Sequence, residues 1–219
     1  MPAFDTPFLM LGAVALAAYL LGSIPFGLVM ARVFGLGDIR QIGSGNIGAT
    51  NVLRTGSRPA AALTLILDAG KGGGAVLLAR AVFAEDAAQV AGLAAVLGHC
   101  VPIVPGIVPG IVPGGKGGKG VATFIGTLLA LSWPAGFAAC LTWLTVAALS
   151  RISSLSALVA AALAPVWIAI LGQPRASAVT LVLAALIFVR HQPNITRLMA
   201  GTEPRIGGGT STPPDRPDQ

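Results

Sequence analysis

This sequence predicts an all-α polytopic membrane protein, on three observations. Hydrophobic residues make up 54% of its 219 positions and charged residues only 10%, where soluble domains carry about 25% charged. Apolar stretches approaching the ~20 residues that a helix needs to cross a bilayer recur along the chain, and mean hydropathy is +0.82. Lys and Arg gather in alternate connections between those stretches, the asymmetry that sets orientation in membranes. The expected architecture is seven transmembrane helices, some short or broken, with the amino terminus outside and the carboxyl terminus cytoplasmic. Residues 1–206 form one membrane domain, and 207–219, rich in Gly, Pro, Thr and Asp, form a disordered tail.

The first helix is expected over 7–34, interrupted at Gly22-Ser23-Ile24-Pro25-Phe26-Gly27, where Pro25 should kink it. No Lys or Arg precedes it and the first cation is Arg32, so it reads as a retained span, not a cleaved signal. The second, 59–83, carries Asp68 and Lys71 three residues apart on one face, which suits an ion pair or a bond to a loop. The third, 87–101, is short. Residues 121–149 read either as one long tilted helix or as two helices broken at Trp133-Pro134-Ala135-Gly136. Charge decides for two, as 121–132 and 135–149: seven spans leave only Arg80 and Arg175 outside, whereas six would move Arg151 and the basic tail outward. The last two spans are 155–172 and 176–190.

A net charge of +6 raises the question of nucleic acid, but the cations lie in loops and make no extended basic face, so no nucleic-acid partner is expected. Cys100 and Cys140 adjoin apolar residues without a CxxC or Cys/His grouping. They read as small core residues, with no disulfide and no metal site.

Three polar clusters carry the chemistry. The first is Gly43-Ser44-Gly45-Asn46-Ile47-Gly48-Ala49-Thr50-Asn51-Val52-Leu53-Arg54, followed by Arg58. Its glycines permit positive φ and close approach to a ligand, its hydroxyls and amides give neutral hydrogen bonds, and its arginines give forked charge. The second, Gly117-Gly118-Lys119-Gly120-Val121-Ala122-Thr123, opens straight into an apolar run, so it places a glycine loop at a helix amino terminus, a ready anion site. No Ser or Thr follows its Gly-Lys pairs, so it is not a nucleotide-binding P-loop. The third is Arg190-His191-Gln192-Pro193-Asn194-Ile195-Thr196-Arg197-Leu198, where His191 and Asn194 share a face if the helix continues past Pro193. His191 suits a general base or a phosphate donor. Glu203 could anchor an arginine at the base of such a pocket. Together the clusters suit an oxyanion, most simply phosphate, held without a metal. A small anion transporter is the competing class, since broken helices and intramembrane charges occur there too. Against it, no inverted repeat is visible and the clusters share one side.

In these three clusters the chain resembles the bacterial acyl-phosphate:glycerol-3-phosphate acyltransferase family. The match runs from Leu21-Gly22-Ser23-Ile24-Pro25-Phe26-Gly27 through Gly98-His99 to Glu203. The resemblance implies a bacterial inner-membrane enzyme with a cytoplasmic active site. It would transfer a fatty acyl group from acyl phosphate to the sn-1 hydroxyl of glycerol 3-phosphate, giving lysophosphatidic acid and inorganic phosphate, among membrane lipids and without a cofactor. Carried over by position, Ser44, Arg54, His191 and Asn194 are the catalytic candidates. Asn46, Arg58, His99, Gly117, Gly118, Lys119, Gly120 and Ser154 are the candidates for substrate and phosphate binding. The attacking hydroxyl must lose a proton, either to His191 or to a substrate phosphate; the excess of anion binders over bases favours the phosphate.

One stretch departs from the family pattern. Ile-Val-Pro-Gly occurs three times in tandem over 103–114, about eight residues more than the short connection the resemblance implies, and the aromatic residues usual there are missing. Pro and Gly repeats cannot extend the preceding helix, and loop length penalises closure only weakly. A tolerated expansion, with a looser phosphate loop, is the expectation.

Overall fold

A computed structural model describes residues 5–102, 117–171 and 174–207. The Ile-Val-Pro-Gly repeats and residues 208–219 of the expected tail lie outside the described residues.

Helix occupies each of the seven stretches read from the sequence, and no strand occurs among the described residues. The elements are α1 (Phe8–Gly22), α2 (Phe26–Val33), α3 (Ala49–Leu53), α4 (Arg58–Val82), α5 (Glu85–Cys100), α6 (Val121–Leu131), α7 (Trp133–Ser150), α8 (Ser153–Ile170), α9 (Ser177–Arg190) and α10 (Gln192–Met199). Among the described residues, four stretches are long and apolar enough to cross a membrane: Phe8–Val33, Arg58–Val82, Trp133–Ser150 and Ser153–Ile170. A fifth arises if Pro174–Arg190 and Gln192–Met199, bent by 61°, count as one span.

Three local outcomes refine the expected elements. The first span is a true break rather than a kink: helix stops at Gly22 and restarts at Phe26. The second break falls at Ser132, whose φ of −151° and ψ of 96° are extended, not at 133–136. Trp133 and Pro134 instead open α7, because proline fits a first helical turn, where its missing N–H costs nothing. The third cluster does continue as helix, α10, with Pro193 in its first turn.

The central helix α4 packs on α6, α5 and α1, while α7, α8 and α9 follow one another around the other side. Small residues allow the closest approach: a Cβ on Gly126 of α6 would lie 2.1 Å from the Ala69 carbonyl oxygen of α4. The main core joins Val96 of α5, Phe124 and Leu128 of α6, Ala161 of α8, and Leu183 and Ile187 of α9. Outward faces are apolar as well: Leu65, Ile66, Leu77 and Leu78 on α4, and Phe137, Leu141 and Leu144 on α7, are exposed. Such a surface is costly in water and suits hydrocarbon.

Candidate active site

The first cluster folds as a compact connection between α2 and α4, organised by one buried amide. Asn51 donates from Nδ2 to the Ile39 carbonyl at 2.7 Å, and its Oδ1 accepts the Ser44 N–H at 3.2 Å. Gly43 has φ +55°, and a Cβ there would lie 2.5 Å from Cδ of Arg54, so glycine lets the arginine fold over the turn. Ser44 is exposed, Asn46 and Arg54 are half-buried, and Arg58 is exposed in the first turn of α4. Thr50 and Ser153 share a hydroxyl hydrogen bond at 3.2 Å, tying this cluster to the start of α8.

In the second cluster, Gly120 takes φ +78° as the residue before α6. Arg190, at the end of α9, donates from Nη2 to the Gly117 carbonyl at 3.0 Å and from Nε to the Gly118 carbonyl at 3.3 Å. The Gly118 N–H bonds the His99 carbonyl at 3.0 Å, so the loop is held from both sides. The His99 ring itself is buried behind the loop, against Thr123 and Asp68. Asp68 and Lys71 form the expected ion pair, at 2.8 Å, and Lys71 also donates to the Ile24 carbonyl freed by the α1–α2 break, at 2.8 Å.

The third cluster is built around Glu203. Its carboxylate accepts from Ser154 Oγ at 2.7 Å, from Asn194 Nδ2, and from Arg197 Nε at 2.7 Å. Burial would raise its pKa, but these three donors outweigh it and hold the carboxyl below the ordinary glutamate value. A carboxylate only accepts, so the Asn194 amide must turn its NH2 toward Glu203; this leaves Asn194 Oδ1 buried without a partner among the described residues. His191, also buried, bonds the Ile187 carbonyl through Nδ1 at 2.7 Å. A carbonyl cannot donate, so Nδ1 carries the proton and a neutral His191 keeps an open lone pair on Nε2.

Lys119 shows that the clusters meet. Burial lowers its pKa from 10.5 to about 8; Glu203 acts against this, and Arg197, Arg190 and Arg54 push with it. A lysine of the second cluster thus feels charges from the other two. Three arginines and one carboxylate around Lys119, beside the N–H groups that open α6, make an anion site. Among the described residues no three His, Cys, Asp or Glu side chains could share a metal ion.

A sequence-family profile described as Glycerol-3-phosphate acyltransferase matches residues 12–201. The chain belongs to the glycerol-3-phosphate acyltransferase family. Among its relatives, a glycerol-3-phosphate acyltransferase of Cereibacter sphaeroides is 61% identical over 207 residues, covering 94% of this chain and 95% of the relative. One from a Jannaschia species is 61% identical over 206 residues, covering 94% and 98%. The crystal structure of PlsY, an integral membrane glycerol 3-phosphate acyltransferase, in its glycerol 3-phosphate form superposes with a TM-score of 0.81. It is 38% identical, over 90% of this chain and 96% of that one. The lysophosphatidic acid form of PlsY gives 0.80 at 37% identity.

Within this acyltransferase the structure brings Arg54, Lys119, Asn194 and Ser154 into one neighbourhood, with Gly117, Gly118 and Gly120 shaping the loop around Lys119. Arg58 stays exposed in the first turn of α4, apart from that group. Asn51, expected only as one of several neutral hydrogen-bonders, orders the first cluster, and Arg190, expected only as part of the third, clamps the second. Both lie inside the motifs, but nothing in a linear motif separates a residue that holds a loop from one that meets a ligand. Glu203 holds Arg197, as its place beyond the third cluster suggested, and gathers Ser154 and Asn194 as well.

Proposed function

We propose that this acyltransferase moves a fatty acyl group from acyl phosphate to the sn-1 hydroxyl of glycerol 3-phosphate, yielding lysophosphatidic acid and inorganic phosphate. The observation carrying this reading is the meeting of Arg54, Arg190 and Arg197 around Lys119, with Glu203 as the one countercharge. That is more cationic charge than one phosphate monoester requires, and it suits two phosphate groups side by side. PlsY, its structural neighbour, has been crystallised in glycerol 3-phosphate and lysophosphatidic acid forms, which supports the same acceptor and product here.

Acyl phosphate is already an activated carboxyl with a good leaving group, so positioning and charge stabilisation account for most of the catalysis. Arg54 and Lys119 hold phosphate oxygens, with the glycine loop and Asn46 completing the binding surface, Arg58 adding charge from the first turn of α4, and Ser154 acting through Glu203. Ser44 hydrogen-bonds substrate from the first cluster. Asn194 Oδ1 or His191 Nε2 accepts from the sn-2 hydroxyl and so orients glycerol 3-phosphate, leaving the sn-1 O–H directed at the departing phosphate. Glu203 already accepts three bonds and is not the base. The hydroxyl oxygen attacks the acyl carbon, the carbon–oxygen bond to phosphate breaks, and the hydroxyl proton leaves on the departing phosphate, so atoms and charge balance.

Residues 1–206 act as one domain crossing a bacterial inner membrane seven times, with the amino terminus outside and the site and carboxyl terminus on the cytoplasmic side. Supporting this, all seven apolar stretches are helical, and a seven-span reading of the sequence leaves only Arg80 and Arg175 among the loop cations on the far side. The test supplies purified protein in lipid with glycerol 3-phosphate and either acyl phosphate, acyl-CoA or acyl carrier protein. Lysophosphatidic acid with equimolar phosphate, from acyl phosphate alone, is expected; product from a thioester donor would overturn the donor.

A further inference from the structure

Beneath the glycine loop runs a buried polar chain that the transfer chemistry does not use. Lys71 Nζ lies 2.8 Å from Asp68 Oδ1, and His99 Nδ1 lies 3.5 Å from the same oxygen and 3.3 Å from Thr123 Oγ1. The side chains of Lys71, Asp68 and His99 are 1%, 3% and 5% exposed. Charges so buried carry a desolvation penalty that good geometry only partly offsets, and apolar residues of equal volume often replace them without loss. A purely structural purpose explains them poorly.

The chain leads to Gly118. The His99 carbonyl accepts the Gly118 N–H at 3.0 Å, and the His99 ring stands so near that a Cβ on Gly118 would lie 2.1 Å from Nε2. On its other side the Gly118 carbonyl meets Arg190. Gly118 is therefore gripped between Arg190 and His99, one residue before Lys119. Thr123 Oγ1 bonds His99 Nδ1 and Asp68 Oδ1 faces the same nitrogen at 3.5 Å, while Lys71 balances Asp68 and pins the α1–α2 break through Ile24.

We propose that the Asp68–His99 couple, with Lys71 as its counter-ion, is the positioning device of the phosphate loop: it fixes Gly118 and thereby aims Lys119 and the start of α6 at the glycerol phosphate. His99 acts through Gly118 and does not itself touch substrate. This rests on the reading that the loop binds glycerol phosphate.

Steady-state kinetics of the full-length protein in lipid test it, varying glycerol 3-phosphate and acyl donor separately. Outer partners that orient a binding group are commonly worth 10–100-fold. His99→Ala should raise KM for glycerol 3-phosphate at least tenfold, with kcat and the donor KM within about threefold. His99→Gln, which refills the space beside Gly118, should restore KM to within about threefold of the parent. Asp68→Asn/Lys71→Met, which removes both charges together and strands neither, should raise the same KM at least fivefold; it carries the test should His99→Ala fail to fold. An unchanged glycerol phosphate KM, a parallel loss in every parameter, or failure of glutamine to rescue would overturn the proposal. Lys119→Met separates the two ideas: if it too leaves KM for glycerol 3-phosphate unchanged, the loop is not the phosphate site and the underlying reading falls.

Discussion

Raising the pH from 7 to 9 should weaken glycerol 3-phosphate binding about tenfold through Lys119 alone. Its pKa in the empty site is about 8, pushed down first by burial and further by Arg197, Arg190 and Arg54, with Glu203 opposing. A group titrating there is about 90% charged at pH 7 and about 10% at pH 9. The ligand is a dianion throughout, since its second pKa is near 6. Binding that requires the ammonium therefore loses about a factor of ten across the window. The stability of the unliganded protein should move the opposite way. Folding lowers this pKa from 10.5 to about 8, so between those values the unfolded chain binds more protons and stability rises with pH. Isothermal titration of glycerol 3-phosphate from pH 6.5 to 9.5 reads the first effect and thermal unfolding without ligand reads the second. Lys119→Arg keeps its charge and should bind with a flat pH profile; Lys119→Met should bind weakly and equally flat. A flat profile in the parent protein, or an undiminished slope in Lys119→Arg, would refute the assignment.

Three further outcomes are expected. Glu203→Gln puts an amide where three donors converge, and with Arg197 36% exposed the loss falls mainly on Ser154 and Asn194; about 2 kcal/mol should disappear, read as a fall of several degrees in Tm. Asn51→Leu strands the Ile39 carbonyl and releases the Ser44 N–H, so it should cost about 1–3 kcal/mol in stability and lower kcat/KM at least tenfold. Deleting 107–114 shortens a connection whose ends are already joined by the Gly118 N–H and the His99 carbonyl, and should gain about 0.5 kcal/mol from loop closure. Folding should persist with KM for glycerol 3-phosphate equal or lower; a collapse of activity would give the repeats a role of their own.

Hydropathy and charge made the helical segments legible because the bilayer permits few alternatives: each long apolar run must close its own backbone hydrogen bonds. They said less about the breaks. Pro25 signalled an interruption, but the extent of it, from Gly22 to Phe26, reflects Lys71 reaching 47 positions back to bond the Ile24 carbonyl. Likewise Pro134 pointed to the right neighbourhood and the wrong residue, since proline is tolerated in a first turn and Ser132 takes the extended conformation instead. The site was legible as composition: small residues, amides and cations in three places. Its internal division of labour was not. Asn51, Arg190 and Glu203 hold the site through contacts 7, 73 and 49 residues distant in sequence, and such contacts leave no local pattern.

Charge also explains why so apolar a chain concentrates its cations here. Two phosphate dianions about 5 Å apart repel by about 13 kcal/mol at an effective dielectric constant near 20. Acyl transfer requires that proximity, because the glycerol hydroxyl must reach a carbon bonded to the second phosphate. Four cations and one carboxylate leave a net charge of about +3 on the empty site, enough to offset most of the repulsion once both substrates are present. The same excess is unfavourable without ligand: after burial, the three arginines push the Lys119 pKa further down. Glu203 tempers it by holding Arg197 and countering Lys119, and its hydrogen bonds to Ser154 and Asn194 keep that countercharge fixed rather than free to compete for the cations. The carboxylate thus makes an empty, strongly basic pocket tolerable, while staying too fully engaged to repel the substrates as a mobile anion would.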